Sequence, residues 1–153
     1  MPESLRTRAF RWLMNFWPCY RGTGGRVSYI AADWSEVRVR LPLNWHTRNY
    51  VGTIFGGSLY GAVDPFFMIM LIKRLGPDFV VWDKSATIRF RKPGRTQLTA
   101  VFRMDDFELE EIHRLLDDEP KVDRTYTVDL VDSQGVIHAE IQKVIHISGT
   151  QAS

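Results

Sequence analysis

The feature that most constrains the fold is an apolar segment over residues 51–72 that contains one acidic residue, Asp64, and one proline, Pro65. Its length approaches that of a membrane-spanning helix. Four glycines interrupt it, however, and an ionised aspartate at the middle of a bilayer is costly. We therefore predict a buried helix over roughly 55–75 that ends at Gly76-Pro77, and no integral membrane span.

Length and composition indicate one ordinary globular domain. The chain has 153 residues, 44% of them hydrophobic and 25% charged, which is enough for a proper core. The net charge of +2 argues against a nucleic-acid binder, since such domains usually carry a clear basic excess. Cys19 is the single cysteine, so no disulfide forms within the chain, which favours a reducing, cytoplasmic location.

Residues 4–17 predict a helix with Ser4 as its N-cap. The helix carries three arginines between apolar residues, namely Arg6, Arg8 and Arg11. Such a helix either lies on a membrane or directs import into an organelle, or it is a short helix packed on the domain. We favour the packed helix, with Leu13 and Phe16 against the domain and the arginines in water.

The remaining chain predicts strands around the apolar helix. Alternation over 27–31 and 37–41, with a turn at 33–35, predicts a hairpin. Four further strands follow the helix, with a short acidic helix over 107–118 and a tight turn at 132–135. We expect an α+β fold with residues 1–25 as an N-terminal helix and linker and residues 26–153 as a single domain.

Glycines at the start of the apolar helix form a candidate site with Asp64. The first N–H groups of a helix lack internal partners and can hold a developing oxyanion. Gly57 and Asp64 are seven residues apart, so they share a helix face at a separation of about 10 Å. That is too far for both to act on one carbonyl, whereas two antiparallel helices in a dimer would build two composite sites.

Pro65 predicts a bend beside the carboxylate. A proline inside a helix removes one hydrogen bond and crowds the carbonyl four residues earlier, which belongs to Gly61. Under the alternative hypothesis, Asp64 only satisfies backbone groups that this bend exposes.

The motif Asn49, Gly52, Gly56-Gly57 and Asp64 resembles the hotdog-fold thioesterases of the phenylacetyl-CoA type. The resemblance covers about residues 26–148 and includes the order of one helix followed by four strands. The segments 52–60 and 81–84 look more like a less characterised hotdog branch with a Phe-Gly-Gly motif. The resemblance implies a long central helix wrapped by a curved antiparallel sheet, a homodimer or homotetramer, and an acyl-CoA or acyl-carrier substrate.

The resemblance also implies roles for individual residues. Asp64 would be general base or nucleophile, the Gly57 N–H would form the oxyanion hole, and Asn49 would position water or the thioester. Phe55 stands where the family has a histidine, and it cannot titrate or donate. With Gly56 and Ser58 it would line the substrate site. No metal and no cofactor is expected, since coenzyme A would enter as part of the substrate.

Basic residues cluster around Pro93-Gly94. They either bind the phosphates of a carrier such as coenzyme A, or they only keep a strand edge charged and protected from pairing. The members of this cluster are Arg89, Arg91, Lys92 and Arg95. Asp83 and Lys84 are expected to form an ion pair, and residues 66–68 are expected to help line an acyl tunnel. Three hypotheses remain: a thioesterase, a non-catalytic acyl-CoA or lipid binder, and a dehydratase or isomerase that uses His46.

Overall fold

The computed structural model describes residues 2–150 and contains five helices and six strands in that range. The helices are α1 (Leu5–Phe16), α2 (Pro18–Gly22), α3 (Gly56–Gly61), α4 (Phe66–Leu75) and α5 (Asp106–Asp118). The strands are β1 (Arg26–Ile30), β2 (Glu36–Leu41), β3 (Phe79–Phe90), β4 (Leu98–Arg103), β5 (Lys121–Val131) and β6 (Ile137–Gly149). They form one antiparallel sheet in the order β1-β2-β4-β5-β6-β3.

Most predicted elements are confirmed. The first hairpin forms, and its turn contains Trp34 with φ 61°, a left-handed conformation that bulky residues rarely adopt. The 132–135 turn also forms, with Gly135 at φ 78°. The apolar helix is present but divided into α3 and α4 by residues 62–65, at the bend that Pro65 predicted. Strand β3 begins at Phe79, well before the alternation that predicted it.

Helix α1 lies on β1, but not on its predicted face. Ser4 is the N-cap as predicted, since its side chain accepts from the Thr7 N–H at 3.1 Å. The Asn15 side chain exchanges two hydrogen bonds with the backbone of Val27, at 2.8 and 2.9 Å. These bonds orient the helix so that Leu13 and Phe16 point outward, each more than half exposed. The prediction that these two side chains pack on the domain is therefore wrong.

Helix α4 supplies the centre of the core. The Phe66 ring contacts Tyr20 at 5.4 Å and Phe102 at 5.3 Å between centroids. The Phe67 ring contacts Phe102 and Tyr126, each at 5.0 Å. Because Phe66 and Phe67 are buried among other aromatic rings, the prediction that they line an acyl tunnel is wrong.

Strands β4 and β5 pair at one end only and are separate over the rest of their length. Their ladder holds only the pair Thr99–Val131, and α5 packs beside the opening through the buried Ile112. A cavity of about 630 Å³ lies between β2, β4, β5 and α5. Its charged side chains pair among themselves or with neighbours. Glu36 accepts from Arg38 and Arg103, and Glu108 accepts from Arg124 at 2.7 Å and from Tyr126 at 2.6 Å. Because these side chains are already paired, we assign this cavity a structural role and not a catalytic one.

The two edges of the sheet differ. Helix α1 covers β1, whereas β3 has no neighbouring strand on its outer side within residues 2–150. Along β3, Val80, Trp82 and Phe90 are exposed. A long edge strand with exposed apolar side chains is a template for pairing with another strand.

Tyr20→Phe tests how the division between α3 and α4 is held. The Tyr20 hydroxyl donates to the Ala62 carbonyl at 3.0 Å in the core. Loss of the donor leaves a buried acceptor unpaired, so we expect the free energy of unfolding to fall by about 1–3 kcal/mol. Urea denaturation measures this, with Tyr50→Phe at a fully exposed position as the matched control. Equal midpoints for the two variants would contradict the assignment.

Candidate active site

The division between α3 and α4 places the Asp64 backbone and side chain in one polar cluster. Pro65 has no N–H, so the helical ladder stops there. Two other carbonyls in this division accept from side chains: Tyr20 donates to the Ala62 carbonyl and Lys143 to the Asp64 carbonyl, at 3.0 and 2.8 Å. The Asp64 carboxylate itself bonds only to side chains among residues 2–150. The alternative hypothesis that it satisfies the exposed backbone is therefore wrong.

Lys143 is the centre of this cluster. Its side chain is 1% exposed, and it comes from the inward face of β6. Its ammonium donates to Asp64 Oδ1 at 2.6 Å and to Asp83 Oδ2 at 2.7 Å, besides the Asp64 carbonyl. All three N–H donors of the ammonium are thereby used.

The pKa of Lys143 lies above its ordinary value. Burial alone lowers it, but the hydrogen bonds and charges of Asp64 and Asp83 outweigh burial. Lys143 is therefore a fixed cation, and it holds two carboxylates on different elements.

Tyr60 donates a second hydrogen bond to Asp64 Oδ1, at 2.6 Å. Burial, and then the hydrogen bond to Asp64, raises the pKa of Tyr60, so its hydroxyl keeps its proton. With both bonds made to Oδ1, Oδ2 of Asp64 has no hydrogen-bond partner within residues 2–150. The Asp64 side chain is 40% exposed, so this second oxygen is the one available for chemistry.

An apolar pocket of about 440 Å³ adjoins Asp64. Side chains of α1 and α2, with Trp17 between the two helices, form most of its wall, and Gly61, Asp64 and Pro65 complete the lining. Ligand pockets commonly have this composition, an apolar lining with a few polar groups. The arrangement can place an apolar group of a substrate beside a carboxylate.

A second pocket, of about 290 Å³, lies at the start of α3. It brings together four predicted site residues, Asn49, Gly56, Arg91 and Lys92. The N–H groups of Gly56 and Gly57 have no acceptor within residues 2–150. The Phe55 ring lies against Gly57, where a Cβ would come within 2.4 Å of Phe55 Cε1. Any residue larger than glycine at 57 would therefore displace this ring.

The Asn49 side chain is engaged by its own turn. Its Oδ1 accepts from the N–H groups of Val51 and Thr53, at 3.1 and 3.0 Å, and its Nδ2 donates to Thr53 Oγ1 at 2.9 Å. Asn49 thus shapes the loop before α3, and its action on substrate stays a prediction.

Other predicted site residues lie apart from these pockets. Ser58 is buried in α3, and Arg95 is exposed. Arg89 approaches Glu140 at 4.0 Å, and the same carboxylate pairs at 3.4 Å with Arg91, which lines the second pocket. His46 lies 3.2 Å from the Gly22 carbonyl and lines neither pocket.

The pairing expected between Asp83 and Lys84 is wrong. On β3 these neighbours point to opposite faces, so Asp83 reaches Lys143 while Lys84 bonds to Asp123. One oxygen of Asp83, Oδ1, is buried without a partner among the described residues, which is uncommon in a core.

Sequence reasoning missed Lys143 and Tyr60. A signal for Lys143 was present: every second residue from Ala139 to Ile147 is apolar except this one, so a lysine occupies an inward position. Tyr60 is four residues before Asp64, the spacing at which helical side chains meet.

Lys143→Met tests the cluster. Without the cation, the partly exposed Asp64 carboxylate and the mostly buried Asp83 carboxylate are left facing each other. We expect the free energy of unfolding at pH 7 to fall by about 3 kcal/mol, the lower end of the range for a broken buried pair, because Asp64 is partly exposed. Lys84→Met, which removes an exposed ion pair, is the matched control and should change stability little. Urea denaturation measures both. Equal losses in the two variants would contradict a buried cluster.

The stability of Lys143→Met should also depend on pH differently from that of the wild type. In Lys143→Met, repulsion between the carboxylates raises a folded-state pKa above its unfolded value. A group shifted in this direction contributes stability below its unfolded pKa and loses it as pH rises. The deficit of Lys143→Met relative to wild type should therefore shrink from pH 7 to pH 5. A constant deficit would show that lost packing, not charge, explains the effect.

The fold is shared with solved structures of low sequence identity. A Pseudomonas aeruginosa protein of unknown function, described as a probable thioesterase, is 22% identical with a TM-score of 0.80, over 97% of this chain and 98% of its own. A Chlorobaculum tepidum protein of unknown function is 14% identical with a TM-score of 0.72, over 94% of each chain. A Haemophilus influenzae thioesterase is 10% identical with a TM-score of 0.68, over 97% of this chain and 93% of its own.

At these identities the likeness shows the fold alone. The six-stranded antiparallel sheet with its helix is consistent with a hotdog-like architecture. A search of curated protein sequences found no significant match. No helix within residues 2–150 is long and apolar enough to cross a membrane. One family model matches residues 6–147, and the chain therefore belongs to the family described as domain of unknown function DUF4442.

Proposed function

We propose that this protein hydrolyses an acyl thioester, carried by coenzyme A or an acyl carrier, at a site built from two subunits. The observation that carries the proposal is Asp64, whose Oδ1 is fixed by Lys143 and Tyr60 while Oδ2 remains available beside an apolar pocket. The description of a structural relative as a probable thioesterase supports the same reaction class.

The chemistry follows from this carboxylate. As general base, Asp64 Oδ2 takes a proton from a water molecule whose oxygen attacks the thioester carbonyl carbon. The carbonyl oxygen becomes an oxyanion that accepts from the Gly57 N–H. The C–S bond then breaks, the thiolate leaves and takes up the proton, and the acid is released. As nucleophile, Asp64 would instead attack the carbon and form a mixed anhydride, which water then cleaves.

Two subunits are proposed because each chain holds the two halves of the site in separate pockets. Asp64 lines the apolar pocket, and the start of α3 lines the other. The exposed edge of β3 offers a means of pairing. Antiparallel pairing of two β3 strands about an axis near residues 86–87 would set Asp83 opposite Phe90 of the second copy.

This proposed register would bring the two halves of the active site together. Asp83 is joined to Asp64 through Lys143. At the other end of β3, Phe90 lies against Gly56, since a Cβ there would be 3.3 Å from Phe90 Cζ. The paired strands would therefore carry Asp64 of one copy towards Gly57 of the other.

The carrier would lie at the pocket that contains Gly56. Arg91 and Lys92 line it and are exposed, so their charges can meet phosphate groups of coenzyme A. Arg89 and Arg95 would add to the positive field at this strand end.

A non-catalytic acyl-CoA binder is the second candidate. Phe55, whose ring lies against Gly57, favours it because the ring narrows access to the N–H groups. Tight binding of an acyl-CoA without turnover by the wild-type protein would select this candidate. Nothing in the position of His46 favours a dehydratase or isomerase.

Asp64→Asn tests the catalytic role. The change keeps the size of the side chain and removes the base, so we expect kcat to fall by about 10²–10⁴-fold with KM little changed. Release of free thiol from a panel of acyl-CoA esters measures the rates. Asp117→Asn, on the exposed face of α5, is the control. Equal rates for wild type and Asp64→Asn would refute the role.

Subunit mixing tests the composite site. Asp64→Asn removes the carboxylate and Gly57→Pro removes the N–H group, so each variant should be inactive alone. If the carboxylate and the N–H belong to different chains, a mixed dimer contains one site in which both are intact. Refolding the two variants together should then restore part of the activity. No recovery, although mixed dimers are demonstrated by differential tagging, would place both groups in one chain.

Arg91→Ala/Lys92→Ala tests the carrier pocket. We expect KM for an acyl-CoA to rise about ten-fold, equivalent to about 1.4 kcal/mol. KM for the same acyl group on N-acetylcysteamine, which has no phosphate, should be unchanged. Arg114→Ala, on the surface of α5, is the control. Equal effects on both substrates would contradict phosphate recognition.

A further inference from the structure

Helix α1 presents an apolar face to the outside of the protein. Its inward face packs through Phe10 and Met14. Its outward face is formed by Leu5, Ala9, Trp12, Leu13 and Phe16, all of them exposed. These residues fall within one stripe at 100° per residue. The stripe continues into Trp17, which is half exposed after the helix ends.

Such a stripe is unusual on a protein surface that faces water. Contiguous exposed apolar patches generally mark an interaction site. The four large members of the stripe within α1 are each more than half exposed, and the Trp12 and Phe16 rings stack on each other at 5.8 Å. The helix does not need them for its own docking, which uses Asn15 and the inward residues.

Positive charge borders the stripe on both sides. By helical position, Arg6 and Arg8 lie about 80° to either side of its centre, and both are exposed. Helix α1 contains no acidic residue. The nearest, Glu3, is turned to Arg11, which donates to it at 2.8 Å, while Arg8 is 3.6 Å away. Glu3 neutralises only one of the two arginines Arg8 and Arg11, so the border of the stripe keeps a net positive charge.

We propose that α1 binds the surface of an anionic membrane, with its axis in the plane of the bilayer. Tryptophan and phenylalanine then enter the interface, and the arginines meet lipid phosphates. Charge favours this occupant over a second copy of the chain. Two copies joined through the stripe would face each other with a net positive charge on both sides, since Glu3 offsets only one of the two arginines Arg8 and Arg11.

This face also adjoins the pocket at Asp64. Leu13 and Trp17 belong both to the stripe and to the wall of that pocket. A helix bound at the membrane would thus open the pocket towards the acyl region of the lipid. This last step rests on the proposed thioesterase function, whereas membrane binding does not.

Vesicle co-sedimentation of the full chain tests the proposal without any substrate. Vesicles of phosphatidylcholine alone are compared with vesicles containing 30 mol% phosphatidylglycerol. We expect binding to the anionic vesicles that weakens as salt rises. Arg6→Gln and Arg8→Gln should each lower the partition coefficient about five-fold, and Trp12→Ser/Phe16→Ser by more than ten-fold.

Matched controls and two further outcomes complete the test. Trp45→Ser and Arg114→Gln change an exposed tryptophan and an exposed arginine elsewhere, and they should bind like wild type. Equal binding to both vesicle types, or none to either, would overturn the proposal. So would a change from dimer to monomer in Trp12→Ser/Phe16→Ser by sedimentation velocity, since the stripe would then be a contact between subunits. Thiol release from acyl-CoA without vesicles tests the proposed thioesterase separately.

Discussion

The interaction on which the rest of the structure depends is the three-way contact of the Lys143 ammonium. It joins the inward face of β6 to the division between α3 and α4 and to the middle of β3. Burying an ammonium is costly unless its charge and all its donors are matched. Here two carboxylates and one carbonyl match them. The position of Asp64 relative to the sheet is thus set by a polar contact within an otherwise apolar core.

The division of the apolar helix was predictable because a local covalent rule decides it. Pro65 cannot continue the ladder whatever surrounds it. The partners of Asp64 were not predictable in the same way. Lys143 is 79 residues away along the chain, and the place of β6 between β5 and β3 in the sheet brings it to the carboxylate. The side of β3 on which Asp83 lies was likewise decided by sheet register, and the expectation of a neighbouring pair with Lys84 failed.

Helix α1 shows a second limit of sequence reasoning. Periodicity identified a helix, and Ser4 correctly marked its start. Both faces of α1 are apolar, however, so periodicity alone does not say which one is buried. Two hydrogen bonds between the Asn15 side chain and the Val27 backbone decide the orientation, one donated by each. They depend on where the Val27 backbone lies. In the candidate site, the glycines, Asp64 and the distance of about 10 Å between them follow from the sequence. The apolar wall that α1 and α2 place beside Asp64 does not, because it depends on how α1 docks.

The single pair that joins β4 to β5 has a consequence for the mechanics of the sheet. Strands β1, β2 and β4 form one hydrogen-bonded unit, and β5, β6 and β3 form another. Cooperative local opening follows such units. The unit that carries Lys143 and Asp83 can therefore keep its geometry while the other loosens. Backbone amides of β2 and β4 should exchange with solvent deuterium separately from those in β6, except around Phe102 of β4, which packs on Phe66 and Phe67 and joins the two units through the core.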